Sequence, residues 1–258
     1  MEEIPCWNVM ILKIEKLDEV YVRIFSDPSI EKELADFFTY EYPGARFTPQ
    51  FRARLWDGKV RLYDQIRKTL YLGLVPYVDN FATTNGYQVE HVNQINHTNN
   101  ITPEVVTQFV TALETPEKIE IRDYQIEAMT TAIDKERTLL LSPTASGKSF
   151  IIYSIMRWHL NAGRKCIIIV PTTSLVEQLY TDFEDYSTVN NWSTSEHCQK
   201  LYAGFSKDFT KDVLITTWQS VYLQPKSWFA QFNVIFGDEA HHFSKFYGFC
   251  AKSSGEIE

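Results

Sequence analysis

Ser142-Pro143-Thr144-Ala145-Ser146-Gly147-Lys148-Ser149 is the stretch on which the reading of the chain turns. An apolar run, Thr138 to Leu141, precedes it, and an amphipathic pattern, Lys148 to Asn161, follows, so the order reads strand, loop, helix. The head of a helix carries unpaired N–H groups and the positive end of the helix dipole, and both favour an anion. Gly147 permits a close turn, and Pro143, Thr144, Ala145 and Ser146 complete a cradle for a nucleotide's phosphates. Lys148 is placed to reach the β- and γ-phosphates, and the Ser149 hydroxyl to ligate Mg2+. Ser142 stands where the G-x-x-x-x-G-K-[ST] pattern has its first glycine, so the match is not literal.

The apolar run Val234-Ile235-Phe236 leads into Gly237-Asp238-Glu239-Ala240-His241, with Asp238 ninety residues after Lys148. Two acids ending an apolar strand stand at the carboxyl edge of a sheet, where α/β proteins bind ligands. Asp238 is expected to hold the magnesium, through a water, and Glu239 to orient or deprotonate an attacking water. Read alone, the tetrapeptide Asp238 to His241 is equally an ordinary solvated turn, and His242 reads as a solvent-facing histidine. Upstream, Arg122-Asp123-Tyr124-Gln125 opens a helix. The Gln125 amide can pair with the N6 and N7 of an adenine, and Tyr124 can stack nearby or simply pack. ATP and Mg2+ are thus the expected cofactors, with Lys148, Asp238 and Glu239 the catalytic set.

Further out, Lys165 to Val170, Val213 to Thr216 and Asn233 to Phe236 are short apolar runs. Helical patterns at about Asp123 to Glu136, Lys148 to Asn161 and Ser174 to Tyr186 separate them. Fully apolar strands alternating with helices indicate an α/β fold whose parallel sheet is covered on both faces. Before this lies a different rhythm. Val20 to Phe25 alternates like a strand, Asp27-Pro28 starts a helix through about Tyr40, and Pro76 to Asn85 is a helix closed by Gly86 before a strand at Tyr87 to Val92. Phe51 to Leu55 and Lys59 to Tyr63 flank Trp56-Asp57-Gly58, which predicts an arginine-bearing hairpin. Asn93 to Asn100 is a polar connection. A helix from Thr102-Pro103-Glu104 to about Leu113 and a break at Thr115-Pro116 follow, the rhythm changing near that break. The expected domains are residues 1–97, a small α+β unit that binds DNA, and 98–258, an α/β nucleotide-binding unit.

Hydrophobic residues form 44% of the 258, enough to build a packed core. No apolar run is long enough for a membrane span, and the acidic start lacks a signal core, so a cytoplasmic protein is expected. The four cysteines, Cys6, Cys166, Cys198 and Cys250, lack metal-binding spacing, so neither zinc nor disulfides are expected. A net charge of −8 looks wrong for a nucleic-acid binder. Its distribution does not: from Arg46 to Lys68 seven cations face two acids, a local +5 that leaves −13 elsewhere. Arg52, Arg54 and Arg61 are the candidate DNA contacts there, with a plain solvated face as the alternative.

Taken in order, Arg122-x-Tyr124-Gln125, Pro143 to Ser149, Val170-Pro171-Thr172-Thr173-Ser174-Leu175-Val176-Glu177-Gln178, Thr216-Thr217-Trp218-Gln219-Ser220 and Asp238-Glu239-Ala240-His241 resemble the successive motifs of superfamily 2 helicases. The resemblance covers about Ile119 to His242 and implies a RecA-like P-loop domain. It also implies that Pro171, Thr172, Thr173, Gly204, Thr216, Thr217, Trp218 and Gln219 lie on the nucleic-acid face, a placement that suits hydroxyls and amides at strand ends. Arg46-Phe47-Thr48-Pro49-x-Phe51-Arg52, Trp56 to Leu62, Gly73-Leu74-Val75 and Pro225-Lys226-x-Trp228-Phe229-x-Gln231-Phe232 resemble the UvsW-type helicases of T-even-type bacteriophages. Such a relationship implies an ATP-dependent DNA helicase that remodels branched or duplex DNA and RNA–DNA hybrids in recombination, repair and replication. The motif after His242 and the second motor domain, with its arginine finger, are not in the sequence. The chain by itself is therefore expected to bind nucleotide weakly and hydrolyse it poorly. Three alternatives stay open at this stage: an RNA helicase, a restriction-type DNA translocase subunit, and a nucleic-acid-binding module with a dormant nucleotide fold.

Overall fold

The computed structural model describes residues 11–18, 20–92, 99–135, 137–143, 145–203 and 208–239. The chain divides into two compact units, Met1–Asn96 and His97–Glu258.

In the first unit, β1 (Ile11–Lys16), β2 (Tyr21–Phe25), β5 (Thr69–Tyr71) and β6 (Gln88–His91) form a sheet in the order β5-β2-β1-β6. β1 and β6 run parallel, and the other neighbours antiparallel. Alternation places Leu12, Ile14, Val22 and Ile24, all fully buried, on one face, where α1 (Pro28–Phe37) adds Ile30 and Leu34. α3 (Val75–Asn85) adds Val78 and Phe81 and ends on Gly86 at φ +73°, the left-handed cap glycine supplies at no steric cost.

Two expectations need correction here. The first helix ends at Phe37 rather than Tyr40, because Thr39–Glu41 forms a strand, β3, paired with β4 (Lys59–Arg61). The arginine-bearing hairpin is also absent. Phe51 and Arg52 belong to a one-turn helix, α2 (Pro49–Arg52), and β4 takes β3 as its partner instead. Thr48-Pro49 outweighs Asp57-Gly58. Pro49 is preset for a first helical position, and the Thr48 hydroxyl accepts the Phe51 N–H at 3.4 Å and donates to Ala45 O at 2.7 Å.

The second unit is α/β. β7 (Cys166–Val170), β8 (Cys198–Leu201), β9 (Val213–Thr217) and β10 (Val234–Gly237) make a wholly parallel sheet in the order β10-β7-β9-β8. Every residue of β7 and β9 is buried, as strands covered on both faces must be. α4 (Pro103–Ala112), α5 (Asp123–Lys135), α6 (Lys148–Asn161) and α7 (Thr173–Tyr186) build the main core with Cys166, Ile168, Val170, Val213 and Ile215. Short helices α8 (Thr194–His197), α9 (Trp218–Val221) and α10 (Lys226–Phe229) fill the connections. Ile167, Ile169 and Leu214 point to the opposite face, against Val221, Trp228 and Phe232.

Thr138 to Leu141 is not a strand. Only Leu140 packs on the core, while Leu139 and Leu141 are 69% and 90% exposed. β7 and β9 each have two neighbours already, and among the described residues the segment takes up neither remaining edge, at β10 or β8. An apolar run without a ladder partner stays irregular. No helix among the described residues is long and apolar enough to cross a membrane.

Candidate nucleotide site and carboxyl-edge surface

α6 begins at Lys148 directly after the loop, with Gly147 at φ +78° as its cap residue. Ala145 and Glu239 also have positive φ, 64° and 51°, a conformation that costs a non-glycine residue about 1 kcal/mol or more. Both flank the same place. Lys148 Nζ lies 3.0 Å from Glu239 Oε1, each side chain about one-third exposed. Asp238 continues the sheet, its N–H donating to Ile169 O at 3.0 Å, and its Oδ1 accepts the Glu239 N–H at 3.0 Å. Burial pushes the Asp238 carboxyl above the ordinary carboxylate range, and the neighbouring Glu239 adds to this. The Glu239 N–H and the Lys148 charge pull it part of the way back. The lysine at the head of α6 and the acids at the end of β10 therefore do converge.

Arg122, Tyr124 and Gln125 brace the loop. The Tyr124 hydroxyl and Gln125 Nε2 both donate to Ser146 O, at 2.9 and 3.0 Å. Gln125 Oε1 accepts the Arg122 N–H at 3.0 Å, and Arg122 Nη1 donates to the Tyr124 hydroxyl at 3.0 Å. Gln125 is buried, so in this arrangement its amide positions the phosphate loop rather than facing an open base pocket. Ser142 and Ser146 share a short hydroxyl hydrogen bond, so the serine at the departing position fastens the loop across its mouth. Thr144 lies outside the described residues, as do Gly204, Ala240, His241 and His242.

A hydroxyl on the first turn of α6 and a half-buried carboxylate at the strand end are hard oxygen donors of the kind magnesium takes, beside an ammonium suited to phosphate. Among the described residues no three His, Cys, Asp or Glu side chains gather into a closed cage.

Register puts the ends of the parallel strands level: Ile169 pairs with Thr216 and with Gly237, and Val170 with Thr217. Pro171, Thr172, Thr173, Trp218, Gln219 and Asp238 thus share one carboxyl edge. Gln219 Nε2 reaches Pro171 O at 3.5 Å, tying α9 to the end of β7. Thr172 caps α7, its hydroxyl accepting the Leu175 N–H at 3.3 Å and bonding Ser174 at 3.0 Å. Thr216 departs from expectation. Its side chain is wholly buried and donates to Leu201 O at 2.7 Å, so it presents no hydroxyl to a strand. Thr217, nearly as buried, bonds Ser220 at 2.9 Å.

The model of the family described as Type III restriction enzyme, res subunit, matches residues 118–253, just over half of the sequence. The chain belongs to this family. Within it, the res-subunit region is preceded by residues 11–91, which match a second family model, DNA helicase UvsW, N-terminal. The ATP-dependent DNA helicase uvsW of Enterobacteria phage T4 is 37% identical over 240 residues, 90% of this chain and 47% of that protein. Solved structures are similar too, two among them from T4. "The crystal structure of T4 UvsW" has a TM-score of 0.80 and 34% identity, over 95% of this chain and 51% of that one. "Crystal structure of the UvsW helicase from Bacteriophage T4" has 0.78 and 35%, over 92% and 86%. This res-subunit family member spans about half the length of its T4 relative.

Sequence reasoning missed two groups in its res-subunit region. Tyr186 and Asp182, one turn apart on α7, meet Ser149: the Tyr186 hydroxyl bonds Ser149 Oγ at 2.8 Å, and Ser149 also hydrogen-bonds Asp182. Burial raises the Asp182 carboxyl above its ordinary range, and the Ser149 bond partly offsets this. The signal was faint: an acid and a tyrosine at helical spacing on a polar face.

In the N-terminal unit, Arg52, Arg54 and Arg61 are all exposed but not equivalent. Arg61 forms a two-pronged pair with Asp57, at 3.2 and 2.5 Å, which holds the Asp57 carboxyl down to about 2. Arg46, which sequence reasoning did not single out as a contact, lines a concavity with Arg52 and Arg54.

Proposed function

We propose that this chain is the nucleotide-binding portion of an ATP-dependent DNA helicase that couples Mg-ATP hydrolysis to unwinding or branch migration of branched DNA and R-loops in recombination, repair and replication. Its domains in this reading are residues 1–97, which bind DNA through the arginines, and 98–258, which bind ATP. The observation that carries the reading is the 3.0 Å approach of Lys148 to Glu239, beside Asp238 and at the head of α6. Likeness to the T4 helicase over 90% of the chain supports DNA as the substrate over RNA. The family match keeps a restriction-type DNA translocase as the second reading.

On this reading Lys148 leaves Glu239 for the β- and γ-phosphates, which frees the Glu239 carboxylate to orient the attacking water and accept its proton. Loop and helix amides hold the phosphates. Ser149 and Asp238 would hold Mg2+, which supplies charge neutralisation at the β- and γ-oxygens. Tyr124, Gln125 and Arg122 keep the loop in register for these contacts. Pro171, Thr172, Thr173, Trp218 and Gln219 line the edge along which a strand's backbone would lie. Turnover in this reading needs a second motor domain closing over the nucleotide with an arginine finger. The setting is the cytoplasm, of a host cell if the gene is phage-borne.

The test is an ATPase assay on a polypeptide of the T4 relative's full length that carries this sequence, with branched, duplex and single-stranded DNA and with RNA. DNA stimulates turnover, and Lys148→Ala lowers it at least about 100-fold, the scale of losing a charged phosphate contact. A Lys148→Ala protein with wild-type turnover, or no response to any nucleic acid, removes the motor reading.

A further inference from the structure

A concavity of about 590 Å³ lies in the N-terminal unit, around α2 and the turn before β4. Arg46, Arg52 and Arg54 line it together with Phe51, Leu55 and Trp56. None of these three guanidiniums has a carboxylate partner among the described residues. The one acid in the wall, Asp57, is already paired with Arg61. The hollow is therefore a place of uncompensated positive charge, which attracts an anion. The rest of its lining, Phe51, Leu55 and Trp56, is apolar or aromatic. Phe51 is 38% exposed and Leu55 81%, and Arg46 lies 4.9 Å over the ring of Phe47, itself 64% exposed.

The shape is built in. Gly58 is buried at φ +78°, and a Cβ there would come within 3.0 Å of Ala45 Cβ and the Phe51 ring, so the turn closes tightly under the aromatic wall. Trp56 Nε1 donates to Lys59 O at 2.9 Å, and its ring leans on Tyr42 at 5.8 Å. Arg52 Nε donates to Arg46 O at 3.3 Å, which ties the two arginines of the lining together. Arg54 is held at φ +56°, a left-handed conformation that a bulky residue adopts at a cost.

We propose that this hollow binds one unpaired nucleotide of a nucleic-acid strand, its base against Phe51, Leu55 and Trp56 and its flanking phosphates on Arg46, Arg52 and Arg54. The inference rests on the reading of the chain as a protein that acts on nucleic acid, and it names the form of substrate. Guanidiniums suit phosphates, and aromatic walls suit a base face. A duplex hides its base faces in the stack, whereas a fork, a junction or a displaced strand offers them. The N-terminal unit would thereby mark unpaired strand, where smooth duplex gives only backbone charge.

The full chain is titrated against a fluorescent dT15 strand, the same strand made abasic throughout, and a blunt duplex, at one salt concentration and then across a salt series. Stacking of even one base separates dT15 from the abasic strand by about 5-fold or more. Trp56→Ala closes that gap, as does Leu55→Ser, whose exposed position spares the fold. Replacing Arg46 and Arg54 with alanine reduces the salt slope by about 0.7 for each phosphate that is no longer neutralised. If the abasic strand binds as tightly as dT15, or Leu55→Ser keeps the full gap, this site is not a base pocket, while the helicase reading stands. Failure of the wild-type chain to bind any of the three ligands overturns that reading and this inference together.

Discussion

At Gly147 a single missing methyl group decides whether the phosphate loop can be braced. A Cβ there would stand 2.4 Å from Gln125 Nε2, the atom that donates to Ser146 O, and the backbone is at φ +78°. Gly147→Ala must expel a buried amide and strain the chain at once, at a cost of about 1–3 kcal/mol. A lowered thermal midpoint and weakened binding of a fluorescent ATP analogue are the expected outcomes; unchanged binding would show that the Gln125 brace is dispensable. Asp182 gives a pH test. Its folded carboxyl titrates above the ordinary value of about 3.9, so ionisation opposes folding. That penalty is absent below the ordinary value, grows through the window up to the raised one, and is constant above. Asp182→Asn should therefore raise the thermal midpoint at pH 7, with a gain that fades towards pH 4. A gain independent of pH would place its cause elsewhere.

Elements show where sequence patterns carry information and where they do not. The helix from Lys148 to Asn161 and the apolar runs of β7 and β9 were legible because sequence pattern and burial speak with one voice over many residues, whereas β10, with Ile235 58% exposed, was legible from its apolar run alone. The motifs at Lys148 and Asp238 were legible too, since each sits at the junction of two such elements. The region around Trp56 was not. There a capped first-turn proline competes with a tight-turn dipeptide, and the winner depends on β3, which lies upstream of Thr48, offering itself as partner to β4. Long-range pairing of this kind leaves no local trace. Thr138 to Leu141 misled for a related reason, because apolar character predicts a strand only where an edge receives it. The cap itself is testable. Thr48→Ala removes both hydroxyl bonds and should cost about 1 kcal/mol in urea unfolding, with the concavity's ligand binding weakened alongside. No change in stability would mean that Pro49 alone holds α2.

Across the whole molecule, each unit closes its own core, one around Leu12, Ile14 and Val22 and the other around Met129, Tyr153 and Ile168. Heat should unfold them in two resolvable steps. Mg-ATP should move only the step belonging to the second unit, by about 2.7 kcal/mol at a hundred times its Kd. A single transition that nucleotide shifts as one block would contradict this. Within the second core, Cys166 and Cys198 are both buried and both level with Val213 on β9. Burial pushes the Cys166 thiol up to about 12 and the Cys198 thiol higher still, so neither forms a reactive thiolate in the folded state. A labelling reagent can reach either sulfur only after β7 or β8 has parted from its neighbour. Alkylation of these two sites, followed by mass spectrometry, is therefore a clock for how often the parallel sheet breathes, and a bound nucleotide should slow it.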